Sequence, residues 1–258
     1  MAFIRKMGKA FGSFLFSTFL FIFFITISLA QFTEYENLKN SLLPILNQQI
    51  SSQISSEQIK KLHEILVLSC KEKEVIEFQV SQYNITLECK DIISSKPNDL
   101  TTLIALKVFD SVYYKEYNCP FLKCLLRGDI EGFLVIFSVH GNNFSNSMIF
   151  YSIFGSIAGI ILILISSESW SIRLRSLGWN IIFSITPLFL FFYFKDFLIT
   201  RLLPLPEISL SSIIIQLIDK IFEPIINYLL LFTIFGSVLI AAGYLIRKKG
   251  EHRKQRKS

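Results

Sequence analysis

Charge is what this sequence has least of. Asp, Glu, Lys and Arg make up 18% of its residues, against about 25% in soluble globular chains. The shortfall is concentrated in four runs that carry no charge at all, at 11–30, 148–166, 176–194 and 224–246. A chain solvated by water throughout is excluded by this pattern, and so are disordered and coiled-coil classes. Ion-coupled carriers and proton pumps are disfavoured as well, because a buried charge in lipid is kept only for a task and the middles of these runs hold none. Gly-rich phosphate loops, a Gly-X-Ser-X-Gly elbow, paired metal ligands and a nucleophile–base pair are missing. No catalytic, cofactor-binding or metal-binding residue is therefore expected, and the protein is read as non-enzymatic.

What the sequence has in abundance is apolar bulk. Of its 258 residues 52% are hydrophobic and 26 are Phe; mean hydropathy is +0.50. A helix rising 1.5 Å per residue needs about 20 apolar residues to cross a hydrocarbon core about 30 Å thick, and all four runs meet that length. The expected fold class is a membrane protein with an all-α four-helix transmembrane region and a small disulfide-stapled α+β extracellular domain.

Orientation follows from Lys and Arg, which stay on the cytoplasmic side when they flank a span. The leader 1–10 holds Arg5, Lys6 and Lys9; the link 167–175 holds Arg173 and Arg175 against Glu168; the tail 247–258 holds seven basic residues against Glu251. These are alternate loops, so both termini are placed in the cytoplasm and 31–147 and 195–223 outside, in the cell membrane. The region 31–147 has 11 basic and 14 acidic residues, so it nets −3 while the whole chain is +6. The basic excess lies entirely on the inner side, where it can hold anionic inner-leaflet lipids; no nucleic-acid partner is needed to explain it. Segment 11–30 has two readings, a retained anchor or a cleaved signal peptide, because Ser28-Leu29-Ala30 before Gln31 resembles a cleavage site. Both readings leave 31–147 outside.

Cys70, Cys89, Cys119 and Cys124 all fall in 31–147. An even number in an oxidising compartment reads as two disulfides, with Cys70–Cys89 and Cys119–Cys124 favoured because each closes a short loop. A redox role for Cys119 and Cys124 is weak at their four-residue spacing, and His63 and His140 lack ligand spacing. Two glycosylation sequons, at Asn84 and Asn143, also lie in this region. Local patterns predict a helix over 33–54 with a break near Pro44, and a capping box at Ser55 and Gln58. That box opens a helix over about 56–69 with Ile59, Leu62, Ile65 and Leu66 on its apolar side. A hairpin through Ile76–Val80 and Tyr83–Leu87 should follow. A helix over about 99–114 carrying Leu103, Ile104, Leu106 and Phe109 comes next, then a further strand over 132–139.

Within the spans, Gly155 and Gly159 form a GxxxG suited to close helix packing, against the third or fourth segment of the same chain or, in the sharper reading, against a second copy. Gly236, Ser237, Ala241 and Gly243 repeat the theme in the fourth segment. Pro187 should bend the third. The stretch 208–222 alternates at helical spacing, with Leu210, Ile213, Ile214, Leu217, Ile218 and Ile221 opposite Ser211, Ser212, Gln216, Asp219, Lys220 and Glu223, and reads as an interfacial or re-entrant amphipathic helix. The functional expectation is an extracellular domain that binds or organises another surface component, a protein partner included. A channel, transporter or accessory subunit is the alternative.

Overall fold

The computed structural model describes residues 2–80, 83–127, 132, 134–202 and 208–255. The chain divides into two compact units, Met1–Gln31 with Ser145–Ser258, and Phe32–Phe144.

Four helices supply the first unit: α1 (Ala2–Phe32), α7 (Val139–Ser166, whose first turns lie in the other unit), α8 (Trp170–Leu202) and α9 (Ile208–Gln255). Each is long and apolar enough to cross a membrane, over Phe3–Phe32, Val139–Ser166, Trp170–Phe197 and Ile225–Lys248. The protein is an integral membrane protein on this count. All four helices extend past the uncharged runs that nucleate them. The 48 residues of α9 would reach about 72 Å at 1.5 Å per residue, more than twice a hydrocarbon core.

That continuity corrects the expectation of a separate amphipathic element. The stretch 208–222 is the first part of α9 and runs into the fourth span without interruption. Pro224 removes only the donor that would have met the Lys220 carbonyl, and Lys220 is exposed, so water can take the place of that donor. Leu217, Ile218 and Ile221 are half-buried, and the side chains of 208–216 lie outside the described set. Just past the uncharged run of α8, that helix and α9 are joined by an ion pair between Lys195 and Asp219. Helix α8 likewise continues through Pro187.

The interior of this unit is apolar. Phe16, Leu20 and Phe24 of α1 meet Ile163 of α7, Ile181, Ile185 and Leu188 of α8, and Ile225 and Leu229 of α9. Phe24 is 1% exposed. Short polar side chains tie the helices where backbones come close. Asn180 donates to Ser13 Oγ at 3.0 Å, and Ser184 gives its proton to the Asn180 carbonyl at 2.6 Å. With that proton committed, Ser17 must be the donor across the 3.0 Å contact to Ser184. Ser28 of α1 donates to the Ile221 carbonyl of α9.

Gly155 and Gly159 do pack within the chain, but against α1 rather than the third or fourth helix. A Cβ on Gly159 would stand 2.6 Å from the Phe16 nitrogen and 2.7 Å from its Cα, whereas one on Gly155 would meet the ring of Phe19. In α9, Gly236 faces Gly178, and Gly243 faces Ser171 and Arg175 of α8, as small residues at that spacing allow.

The second unit is built around α2 (Tyr35–Gln53), α3 (Ser56–Ser69), the hairpin β1 (Val75–Val80) and β2 (Tyr83–Glu88), α4 (Cys89–Ser94), α5 (Leu100–Tyr113) and α6 (Phe121–Leu125). The capping box at Ser55 is present: Gln58 N–H donates to Ser55 Oγ and the Ser55 N–H to Gln58 Oε1. The hairpin is antiparallel with Ile76 opposite Leu87 and Phe78 opposite Ile85. Its alternation sends Ile85 and Leu87 inward, at 2% and 0% exposure, and Thr86 and Glu88 outward. Residues 81–82, where the phase slips, lie outside the described set.

Three expectations fail here. Helix α2 does not break at Pro44, because the carbonyl that loses its donor belongs to exposed Asn40. No strand forms among the described residues of 132–139; Val135–Phe137 is a 3-10 turn and Val139 opens α7. That run is apolar without alternation, which does not separate strand from helix. The buried rows are also rotated. In α5 the inward row is Thr101, Ala105, Phe109 and Tyr113, at i+4 spacing, with Leu100. In α3 only Ile59 is buried, while Leu62, Ile65 and Leu68 are 37%, 59% and 60% exposed. His63 takes the inner side instead.

The Gly159 contact gives a direct test. Its neighbour is backbone and cannot swing aside, whereas the neighbour of Gly155 is a ring. Gly159→Ala should therefore lower the thermal midpoint of the detergent-solubilised protein by more than Gly155→Ala, within the overpacking range of about 1–3 kcal/mol. A neutral Gly159→Ala, or one that changed only the oligomeric state, would contradict packing onto α1.

Candidate functional site

Two groups of side chains stand out, one in each unit. In Phe32–Phe144 the local framework begins with the cysteines. Cys70 caps the end of α3 and Cys89 opens α4 directly after the hairpin; their Cα atoms are 5.4 Å apart. Cys119 and Cys124 stand 5.7 Å apart, with Cys124 in α6. Both separations are those of a disulfide, in the two pairs expected. His63 Nε2 lies 3.2 Å from the Ile92 carbonyl and 3.1 Å from the Ser95 carbonyl, so it caps the end of α4. That polar role explains why α3 turns His63 inward and leaves Leu62 and Ile65 outside.

A groove of about 440 Å³ is lined by Tyr114, Lys115, Glu116, Tyr117, Val139, His140 and Asn143 among others. Tyr114, Tyr117 and His140 give it aromatic lining, and His140 leads on to rings outside the groove. The His140 ring lies 6.4 Å from that of Tyr117 and 6.3 Å from that of Phe121, and Phe121 stacks on Phe144 at 4.2 Å. The sequon residue Asn143 is exposed on its rim, in the first turns of α7, while Ser145 is buried. Asn84 is in β2 opposite Gln79, and its side chain lies outside the described set.

Tyr114 of the groove also belongs to a cluster that Tyr35 anchors with Phe109, Tyr113 and Tyr114, at centroid distances of 5.5, 5.2 and 5.8 Å. Its hydroxyl donates to Asp110 at 2.7 Å. Tyr113 donates to the Thr33 carbonyl at 3.1 Å, and Asn142 Nδ2 to Thr33 Oγ1 at 3.1 Å. Burial, then the hydrogen bond to Asp110, raises the Tyr35 phenol well above its ordinary value of 10. Burial also raises that of Tyr113.

In the first unit, the N-terminus of α1, the end of α7, the start of α8 and the end of α9 meet at one end of the bundle. Arg5 pairs with Glu168 at 3.4 Å across exposed surface. Ser171 donates to the Gly243 carbonyl at 2.7 Å. The bare Gly243 leaves room for Arg175, whose guanidinium lies 5.0 Å from the centre of the Tyr244 ring. Arg173 lies 4.8 Å from the centre of the Trp170 ring and donates from Nε to the Ser167 carbonyl at 3.2 Å. Two cavities flank Arg175. One of about 290 Å³ is lined by Lys9, Ile172, Ser176, Trp179, Asn180, Phe183 and Tyr244; the other, of about 530 Å³, by Ser169, Trp170, Ile246 and Arg247. Sequence reasoning found these basic residues but not the cavity, because three distant segments build it.

Comparison of the chain with protein-family models, with curated proteins and with solved structures finds no match.

The raised phenols make the second unit sensitive to alkali. A group whose folded value is raised contributes stability that is complete below its unfolded value and lost as pH rises through the folded one. The thermal midpoint of the full-length protein should hold from neutrality to about pH 9 and fall beyond pH 10. Tyr35→Phe should cost about 1 kcal/mol at neutral pH, through the unpartnered Asp110, yet flatten the alkaline fall. Circular dichroism against pH checks both, and an equally steep fall in the variant would refute the assignment.

Proposed function

We propose that this is a non-catalytic multi-pass protein of the cell membrane. In this reading its Phe32–Phe144 unit lies outside, is held by the Cys70–Cys89 and Cys119–Cys124 disulfides, is glycosylated at Asn84 and Asn143, and binds another surface protein. The two termini stay in the cytoplasm, and α1 is a retained anchor.

One observation carries the binding role. Leu62, Ile65 and Leu68 stand one turn apart on α3 and are all exposed. Large apolar side chains grouped on a water-facing helix mark interaction surfaces, and the unit has a core of its own to hold them there. The polar residues 31–147 net −3, which suits a surface partner of basic or neutral character. The bundle interior weighs against the permeation alternative, since Phe16, Leu20, Phe24, Ile181 and Ile185 fill it among the described residues and the bonded Ser and Asn side chains serve helix contacts.

A photo-reactive amino acid placed at Ile65 of the full-length protein in intact cells is the test. It should join the chain to one discrete protein species, and the same probe at exposed Lys60, on another side of α3, should not. The triple variant L62E/I65E/L68E, expressed at the normal level with its cysteines still oxidised, should lose that neighbour. Adducts with lipid alone at Ile65, or equal yields at both positions, would defeat the reading.

A further inference from the structure

The basic end of the bundle holds more positive charge than its own carboxylates can meet. In sequence, α1 brings Arg5, Lys6 and Lys9 to this end, α8 brings Arg173 and Arg175, and α9 brings Arg247, Lys248, Lys249, Arg253 and Lys254. Against these stand Glu168, which Arg5 already engages, and Glu251 farther along α9. Arg175 is the cation at the centre. It is half-buried, its Nε is shut off from solvent with no hydrogen-bond partner, and its contact with Tyr244 offers a ring face rather than a negative charge. Lys9 is half-buried too and forms no ion pair among the described residues. Two uncompensated cations facing one cavity, in a helix end set in lipid, call for an anion from outside the chain.

The cavity's second feature is its gradation. Lys9, Arg175 and Ser176 form the polar part; Trp179 and Phe183 follow along α8, the latter two turns beyond Arg175, and Asn180 between them is engaged by Ser13. At 1.5 Å per residue Phe183 lies about 12 Å farther along the helix. A small hydrated anion has no use for that aromatic wall, whereas an amphiphile has. Trp and Tyr at such a level are the side chains of a membrane interface, and basic pockets between spanning helices accept charged headgroups.

We propose that this cavity is a binding site for an anionic phospholipid, with the phosphate between Lys9 and Arg175 and an acyl chain along Trp179 and Phe183. The site is separate from the surface role of Phe32–Phe144 and stands whether or not that role holds. It also differs from a general attraction of the basic tail 247–258, because it needs the two named cations and not the charges beyond Lys248.

The chain carries two tryptophans, and they line the two cavities beside Arg175, Trp179 the smaller and Trp170 the larger. Intrinsic fluorescence therefore reports on the site with little background. The full-length Trp170→Phe protein, reconstituted in phosphatidylcholine nanodiscs, leaves Trp179 as the reporter. Brominated phosphatidylglycerol introduced as a minor component should quench Trp179 far more than the same fraction of brominated phosphatidylcholine. Each cation is worth about fivefold in local enrichment, so Lys9→Gln and Arg175→Gln should each lower the preference by about that factor. Equal thermal midpoints in pure phosphatidylcholine would show that the fold is kept. Should Arg175→Gln disturb packing against Gly243, Lys9→Gln carries the test alone. Truncation after Lys248 should leave the preference intact. Equal quenching by the two lipids overturns the proposal. So does a preference lost on truncation but kept in both variants, and so does inorganic phosphate alone abolishing the quenching by phosphatidylglycerol, which would make the site one for a soluble anion.

Discussion

The contact between α1 and α7 is the constraint on which the bundle depends. Lipid supplies no hydrophobic drive to bring spanning helices together, so association rests on close backbone approach and on the few polar groups that can bond across helices. Gly159 permits that approach, because a side chain there would run into the backbone of Phe16. Once α1 is seated, Phe16, Leu20 and Phe24 fill the interior toward α8 and α9, and Ser13 and Ser17 find Asn180 and Ser184. Ser28 and Ala30, which resemble the last positions of a signal peptide, are 2% and 7% exposed. Cleavage after Ala30 would remove a wall of the core. The packing therefore favours the anchor.

The same seating explains the basic end. With α1 against α7 and Gly243 of α9 against α8, Lys9, Arg175 and Tyr244 converge from three segments, while Glu168 is drawn to Arg5. A charge imbalance that reads in sequence as an orientation signal becomes in three dimensions a cavity with a polar mouth and an aromatic wall.

The parts legible in the sequence are those set by neighbours in the chain. Four uncharged runs gave four helices long enough to span, Ser55 and Gln58 gave a capping box, the alternation of Tyr83–Leu87 gave a strand with Ile85 and Leu87 inward, and cysteine spacing gave the two pairs that stand at disulfide distance. What the sequence hid was decided at a distance. His63 faces inward because carbonyls of Ile92 and Ser95, some thirty residues on, need a donor, and Leu62 and Ile65 are turned out as a result. Pro44 and Pro224 look like breaks, yet each costs one bond to a carbonyl on an exposed residue. The partner of Gly155 and Gly159 could not be chosen from spacing, since α1 lies more than a hundred residues away. Only contact between helices reveals that Arg175 faces a cavity.

The central claim is that α1 is a permanent member of the four-helix unit. The intact mass of the protein purified from its native membrane, with the N-terminal peptide identified, tests it most directly. A chain that retains residues 2–30 is the result expected. A mature chain beginning at Gln31 would contradict it, because Phe16, Leu20 and Phe24 would then be absent from the core they are described as filling.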